Sequence, residues 1–183
     1  MHRIFILGPQ GSGKGTQAKR LSAFLGIPYL SMGDLLREEA QGTGSLAEEV
    51  RAIVDSGNLV SDVTAEAVLR KRLTQPDVAA GYILDGFPRN FEQMKAFVGF
   101  DQPTVVLVID IPKRESRARL QNRAITEGRT DDTPEVIEKR LGIYTTDTVP
   151  IIEEYRTQGV VREVDGMGTV DEVAERIQRL FVL

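Results

Sequence analysis

Near the amino terminus, the run Gly8-Pro9-Gln10-Gly11-Ser12-Gly13-Lys14-Gly15-Thr16 sets glycines, one lysine and a threonine hydroxyl between an apolar segment and an amphipathic one. Glycines let a chain turn with its N–H groups pointing inward and no Cβ in the way. A helix that opens at such a turn adds partial positive charge, and Lys14 supplies a full one. The chemistry of this pattern is polyphosphate binding by Gly11, Ser12, Gly13, Lys14, Gly15 and Thr16. One departure stands out. The residue after Lys14 is Gly15 rather than Ser or Thr, which weakens the expectation that a loop hydroxyl ligates a metal directly.

A second group of residues could act on phosphates. Asp85 ends an apolar run, and a carboxylate at the carboxyl edge of a sheet can hold magnesium through its water shell. Arg89 is a planar bidentate donor for a phosphate. Arg119 and Arg123 are four apart, hence on one helix face; Arg129 follows in a glycine-containing loop and Arg140 on the next helical stretch. From Lys113 to Arg140 eight basic residues face six acidic ones, in a chain whose net charge is −4. Taken singly, Arg89 reads better as a surface arginine and the basic stretch as a solvated amphipathic face, while Asp85 has a turn-starting role as its lesser alternative. Taken together they suit phosphoryl transfer, which is catalysed by positioning and charge neutralisation rather than by a strong base. That matters because the chain has no Cys and a single His, His2, expected to be a solvated surface residue.

The elements that must position these groups follow from periodicity. Arg3–Leu7 reads as a strand stopped by Gly8-Pro9, and Lys14–Leu25 as a helix with Ala18, Leu21, Phe24 and Leu25 on one face. Pro28–Ser31 is a strand candidate and Asp34–Gln41 a short helix. Ser45–Asp55 and Asp62–Leu73 read as two helices parted by Gly57 and capped by Ser45 and Ser61. Tyr82–Leu84 is a strand ending at Asp85-Gly86, and the β-branched run Thr104–Ile111 a strand buried on both faces. Lys113–Thr126 is helical. Pro134–Thr157 is mainly helical with a break expected at Pro150; Val160–Val164 is a last strand and Val170–Val182 a closing helix. The alternation predicts an α/β domain with a parallel sheet, whose ligands bind beyond the carboxyl ends of the strands.

With 183 residues and 41% hydrophobic content, the chain is expected to form one domain with a real core. A pI of about 5.2 argues against a general nucleic-acid surface. Without Cys there is no disulfide framework, thiolate zinc site or thiol nucleophile. The opening apolar run is too short for a signal segment or a membrane span, so the cytoplasm is the expected location.

Three further motifs, in order after the glycine-rich loop, carry a resemblance. Leu30-Ser31-Met32-Gly33-Asp34-Leu35-Leu36-Arg37 is similar to the STGDxLR segment of adenylate kinases. Asp85-Gly86-Phe87-Pro88-Arg89 matches their DGFPR motif, with Gln93 at the family spacing. Gly128-Arg129-Thr130-Asp131-Asp132 and Lys139-Arg140-Leu141 resemble the GRxDD and KRL signatures. Together they span nearly the whole chain.

The resemblance implies a P-loop nucleotide kinase fold with a parallel sheet of about five strands. Within a single domain covering 1–183 it implies a helical flap for the monophosphate at about 31–60 and a short lid at about 123–133. It implies transfer of the terminal phosphoryl group of ATP to AMP, with Mg2+ held by Asp85 through water and no structural zinc. Lys14, Asp85, Arg89, Arg123, Arg129 and Arg140 are the implied catalytic residues. Arg119 and Arg123 would serve ATP, with Gly168 in the Gly166-Met167-Gly168 loop near its adenine; Arg129 and Arg140 would bridge donor and acceptor, oriented by Asp131 and Asp132. The implied AMP site comprises Met32, Arg37, Asn58, Leu59, Val60, Gly86, Phe87, Pro88, Arg89 and Gln93, besides the bridging arginines. Met32 stands where the family usually has Thr, and Asn58 where Lys is common; Gln93 has an amide that can pair with adenine's donor and acceptor edge. A pyrimidine monophosphate kinase acting on UMP or CMP is the alternative, and a nucleotide-binding switch without phosphotransfer a remoter one. The expected partners are small nucleotides alone, with no nucleic acid or membrane, and the expected state is a monomer.

Overall fold

The computed structural model describes residues 1–55, 60–126 and 133–182. Five strands, β1 (His2–Leu7), β2 (Tyr29–Ser31), β3 (Gly81–Asp85), β4 (Val105–Asp110) and β5 (Val161–Asp165), form one parallel sheet in the order β2-β3-β1-β4-β5. The chain leaves β1 for β2 on one side and leaves β3 for β4 on the other side of β1. Adjacent connections therefore diverge at the carboxyl ends of β1 and β3, which opens a crevice there.

Both faces of the sheet are covered, as the continuous apolar runs require. Ile4, Ile6, Ile83, Leu107 and Ile109 point to one face and pack with Ala18, Leu21, Val173 and Ile177 of helices α1 (Lys14–Leu25) and α9 (Val170–Arg179). Their neighbours Phe5, Leu7, Tyr82, Leu84, Val106 and Val108 point the other way. There they meet residues of α2 (Met32–Gln41), α3 (Ser45–Asp55), α4 (Asp62–Arg72), α5 (Phe91–Val98) and, further along, α8 (Val149–Thr157). A small separate cluster of Leu120, Ile137 and Leu141 joins α6 (Lys113–Thr126) to α7 (Pro134–Ile143). Outside that cluster, Arg117 and Lys113 of α6 both reach Glu138 of α7, at 2.6 and 3.3 Å.

The expected bounds of α1, α3 and α6 match those observed, and each strand end lies within one residue of its expected place. Other expectations are corrected. Ser45 is the first helical residue of α3 rather than its cap, and the Gly44 carbonyl receives the Glu48 N–H at 3.0 Å. Ser61 does cap α4, its hydroxyl accepting from Thr64 N–H. Ser31 caps α2, which therefore starts at Met32, two residues before the expected Asp34. The closing helix stops at Arg179, short of Val182. Helix α5 was not apparent from periodicity; Asn90 caps it by accepting Gln93 N–H at 2.8 Å. The break expected near Pro150 takes the form of a π-helical turn at Tyr144–Thr148, because proline supplies no N–H for the carbonyl four residues back. His2 is exposed, as expected, with its ring edge-on to Phe181.

Leu107 lies in a strand paired on both sides and is fully buried. Leu107→Ala should cost about 2–5 kcal/mol in urea unfolding with an unchanged m-value. A loss below about 1 kcal/mol would show that this part of the core collapses around the gap.

Candidate functional site

A cleft of about 670 Å³ lies over the carboxyl ends of β1 and β3. Its floor is the loop after β1, and Gly8 shows why that loop needs glycine. A Cβ there would lie 2.3 Å from the carbonyl oxygen of Ile109 in β4, with φ at +143°. The loop is thus pressed against the end of the neighbouring strand before it turns into α1, whose cap is Gly13. Gly11, Gly13, Lys14, Gly15 and Thr16 line the cleft. Ser12 does not: it is buried, and its N–H donates to Pro9 O at 3.2 Å.

Lys14 Nζ donates to the carbonyls of Gly8 and Pro9 at 2.7 and 2.8 Å. Burial pulls its pKa from 10.5 down to about 8. Asp85 opposes that shift, whereas the positive charges of Arg89 and Arg123 add to it. Asp85 itself ends β3, and its Oδ2 accepts from the Tyr29 hydroxyl at 3.0 Å. Burial, then the Asp85 charge, pushes that phenol's pKa up. Tyr29 therefore braces the carboxylate while remaining a neutral donor.

Arg89 reaches the cleft from the loop after β3, its Nε donating to Gly86 O at 2.8 Å. Gly86 has φ +85°, and a Cβ on it would press on the Arg89 guanidinium at 3.2 Å. The main chain of Arg89 is held at both ends: its N–H donates to Gln93 Oε1 at 2.7 Å and its carbonyl accepts from Thr148 Oγ1 at 3.2 Å. Arg119 and Arg123 of α6 complete the wall. Arg119 Nε donates to Glu115 at 2.7 Å and its Nη2 to Gly166 O at 3.2 Å, which ties α6 to the loop carrying Gly168.

Other expected site residues lie off this wall. Met32 is buried in the core with Leu30, Leu35 and Phe87. Val60 packs against the same cluster. Pro88 follows Phe87 through a cis peptide bond. Arg37 is exposed on α2 and pairs with Asp34. Gln93 is buried at the start of α5, donating from Nε2 to Asp62 Oδ1 at 2.6 Å. Arg140 lies on α7. Asn58, Leu59, Arg129, Asp131 and Asp132 fall outside the described residues. Gln10, Lys19, Tyr29, Ser31, Gly33 and Asp34 join the cleft without having been expected there. Ser31 and Asp34 were visible within the Leu30–Arg37 segment, but Tyr29 and Lys19 carry no signal beyond their place beside the motifs.

The fold and the cleft together define a P-loop nucleotide kinase. The family model for adenylate kinase matches residues 6–160. Adenylate kinase of Stenotrophomonas maltophilia is 44% identical over 180 residues, covering 96% of each chain. That of Xanthomonas oryzae pv. oryzae is 44% identical over 182 residues and that of Kocuria rhizophila 42% over 185, each covering 97% of both chains. The chain belongs to the adenylate kinase family.

Lys14 loses its proton more readily folded than unfolded, so between about pH 8 and 10.5 the unfolded chain binds more protons. Relative to a Lys14→Met variant, the protein should therefore gain stability as pH rises through that window and show a constant difference below it. Urea unfolding of both proteins across pH 6–11 measures this; a flat difference throughout would contradict the desolvated ammonium.

Proposed function

We propose that this cleft seats two nucleotides with their phosphates facing, the loop of Gly11–Thr16 on ATP and Arg89 on the phosphate of AMP. The reaction is reversible transfer of the terminal phosphoryl group of ATP to AMP, giving two ADP. The observation that carries the assignment of roles is the convergence of Lys14, Arg89, Arg119 and Arg123 with the carboxylate of Asp85 around one cleft. Charge that spreads over phosphoryl oxygens during transfer would meet donors already in place.

On this reading Lys14 contacts the outer phosphates of ATP, and Arg119 and Arg123 add to the donor side near the Gly166–Gly168 loop. Arg37 shares the acceptor phosphate with Arg89, while Arg129 and Arg140 bridge the two, oriented by Asp131 and Asp132. Asn58, Leu59, Val60 and the Gly86–Pro88 turn shape the acceptor pocket. Met32, being buried, supports that pocket from behind rather than reading the base. Gln93 reads it: two of its amide's four hydrogen-bonding positions are taken within the protein, leaving one acceptor and one donor. An acceptor such as CMP or UMP is the competing assignment, and the AMP reading is favoured by the names of the relatives and by that amide.

The donor set suits Mg2+, which keeps most of its water and takes one or two carboxylates with substrate phosphates. Asp85 would hold it through water with the Thr16 hydroxyl nearby, and the ion would supply further charge neutralisation at the phosphates. We read residues of about 31–60 as a flap and about 123–133 as a short lid whose closure excludes water, a competing acceptor. We further read the protein as a cytoplasmic monomer that acts on small soluble nucleotides. Among the described residues, no helix is long and apolar enough to cross a membrane.

Lys14→Ala and Arg89→Ala should each lower ATP-plus-AMP turnover by roughly 100-fold or more with little change in Tm. Unchanged turnover in either would remove that residue from its role. Calorimetry with two adenosines joined through five phosphates should show tight, magnesium-dependent binding that both variants weaken; no binding would exclude the two-nucleotide arrangement.

A further inference from the structure

Gln93 is held from two sides by groups of opposite hydrogen-bonding character. The main-chain N–H of Arg89 donates to its Oε1 at 2.7 Å, and its Nε2 donates to Asp62 Oδ1 at 2.6 Å. The other oxygen of Asp62 accepts from Asn90 Nδ2 at 2.9 Å, while Asn90 Oδ1 accepts the main-chain N–H of Gln93 at 2.8 Å. Asp62, the first residue of α4, thus grips both amides at the start of α5. A main-chain N–H can only donate and a carboxylate can only accept. Turning the Gln93 amide by half a rotation would set its NH2 against an N–H and its carbonyl against a carboxylate. Both contacts oppose that turn, and the bond to the charged oxygen is the stronger of the two.

This lock has a consequence for base choice. A freely turning amide reads amino and oxo edges alike: it accepts from an amino group beside a ring acceptor or, turned over, donates to an oxo group beside a ring N–H. A locked amide reads only one. We propose that Asp62 is a specificity-determining positioning residue, which holds Gln93 in the single orientation that selects amino-bearing bases over their oxo counterparts. AMP is thereby favoured over IMP, and, among the poorer pyrimidine acceptors, CMP over UMP. The proposal rests on the reading of Gln93 as the residue that faces the acceptor base; Asp62 itself touches no substrate.

The test is kcat/KM for AMP, IMP, CMP and UMP with the parent protein and with Asp62→Asn, Asp62→Glu and Gln93→Leu. Asparagine has one oxygen for two amides and can instead donate to Gln93 Oε1, so it admits the turned state. In Asp62→Asn the AMP-to-IMP ratio should fall ~10-fold or more, the effect of one lost hydrogen bond to a charged group. The CMP-to-UMP ratio should fall with it, while AMP turnover stays within ~3-fold of the parent. Asp62→Glu, which keeps the carboxylate, should recover most of the selectivity. Unchanged ratios in Asp62→Asn, with ratios lowered in Gln93→Leu, would overturn the lock and leave Gln93 as the base reader. Unchanged ratios in both would overturn the lock together with the reading beneath it. An equal loss for all four acceptors in Asp62→Asn would show a structural role only and also overturn the proposal.

Discussion

At the amino end of α1 an ammonium lies within 2.8 Å of two main-chain carbonyls, partly buried in the floor of the cleft. Its burial lowers its pKa toward 8, and the guanidinium groups of Arg89 and Arg123 press in the same direction. Asp85 opposes them. Several like charges around one cleft repel one another until an anion enters, and a polyphosphate converts that repulsion into attraction. The architecture of the domain can be understood as the means of holding these cations close in spite of it.

Three features do the holding. The sheet places the ends of β1, β3 and β4 side by side, so the loop and Asp85 arrive together. The contact of Gly8 with the Ile109 carbonyl presses the loop against β4. Arg89, which belongs to a loop, gains the rigidity of an element because Gln93 and Thr148 hold its N–H and its carbonyl. Thr148 comes from the π-helical turn, so a local irregularity in the helical stretch supports the main chain of Arg89. Buried polar groups of this kind persist when each finds a partner, and here the shared partner is the main chain of a residue that lines the cleft.

Amide groups in this network have two duties. Gln93 fastens the main chain of Arg89 and, as the proposed reader of the acceptor base, presents its remaining donor and acceptor to that ring. Asn90 caps α5 and also donates to Asp62. On the proposed reading, phosphate positioning and base recognition are joined through a few residues at the junction of α4 and α5.

Much of this was legible in the chain itself. The apolar run before Gly8, the glycine spacing and Lys14 determine a strand, a tight turn and a helix by local geometry alone, and α1 follows the expected bounds. Two-sided burial was written in the β-branched run of β4. Helix α5 was less legible because its eight residues follow a proline-containing loop and carry little periodic signal. Ser45 resembled a cap by residue type, yet whether a hydroxyl caps depends on the main-chain angles at that place. The burial of Ser12 and Met32, the brace from Tyr29 to Asp85 and the grip of Asp62 on Gln93 join residues distant in the chain or turn on which way a side chain faces. Residue types and local spacing determined the loop, the strands and the kinds of groups available. Which of those groups meet was decided only when the parallel sheet brought separate strand ends together, because hydrogen bonds and buried charge depend on proximity in space.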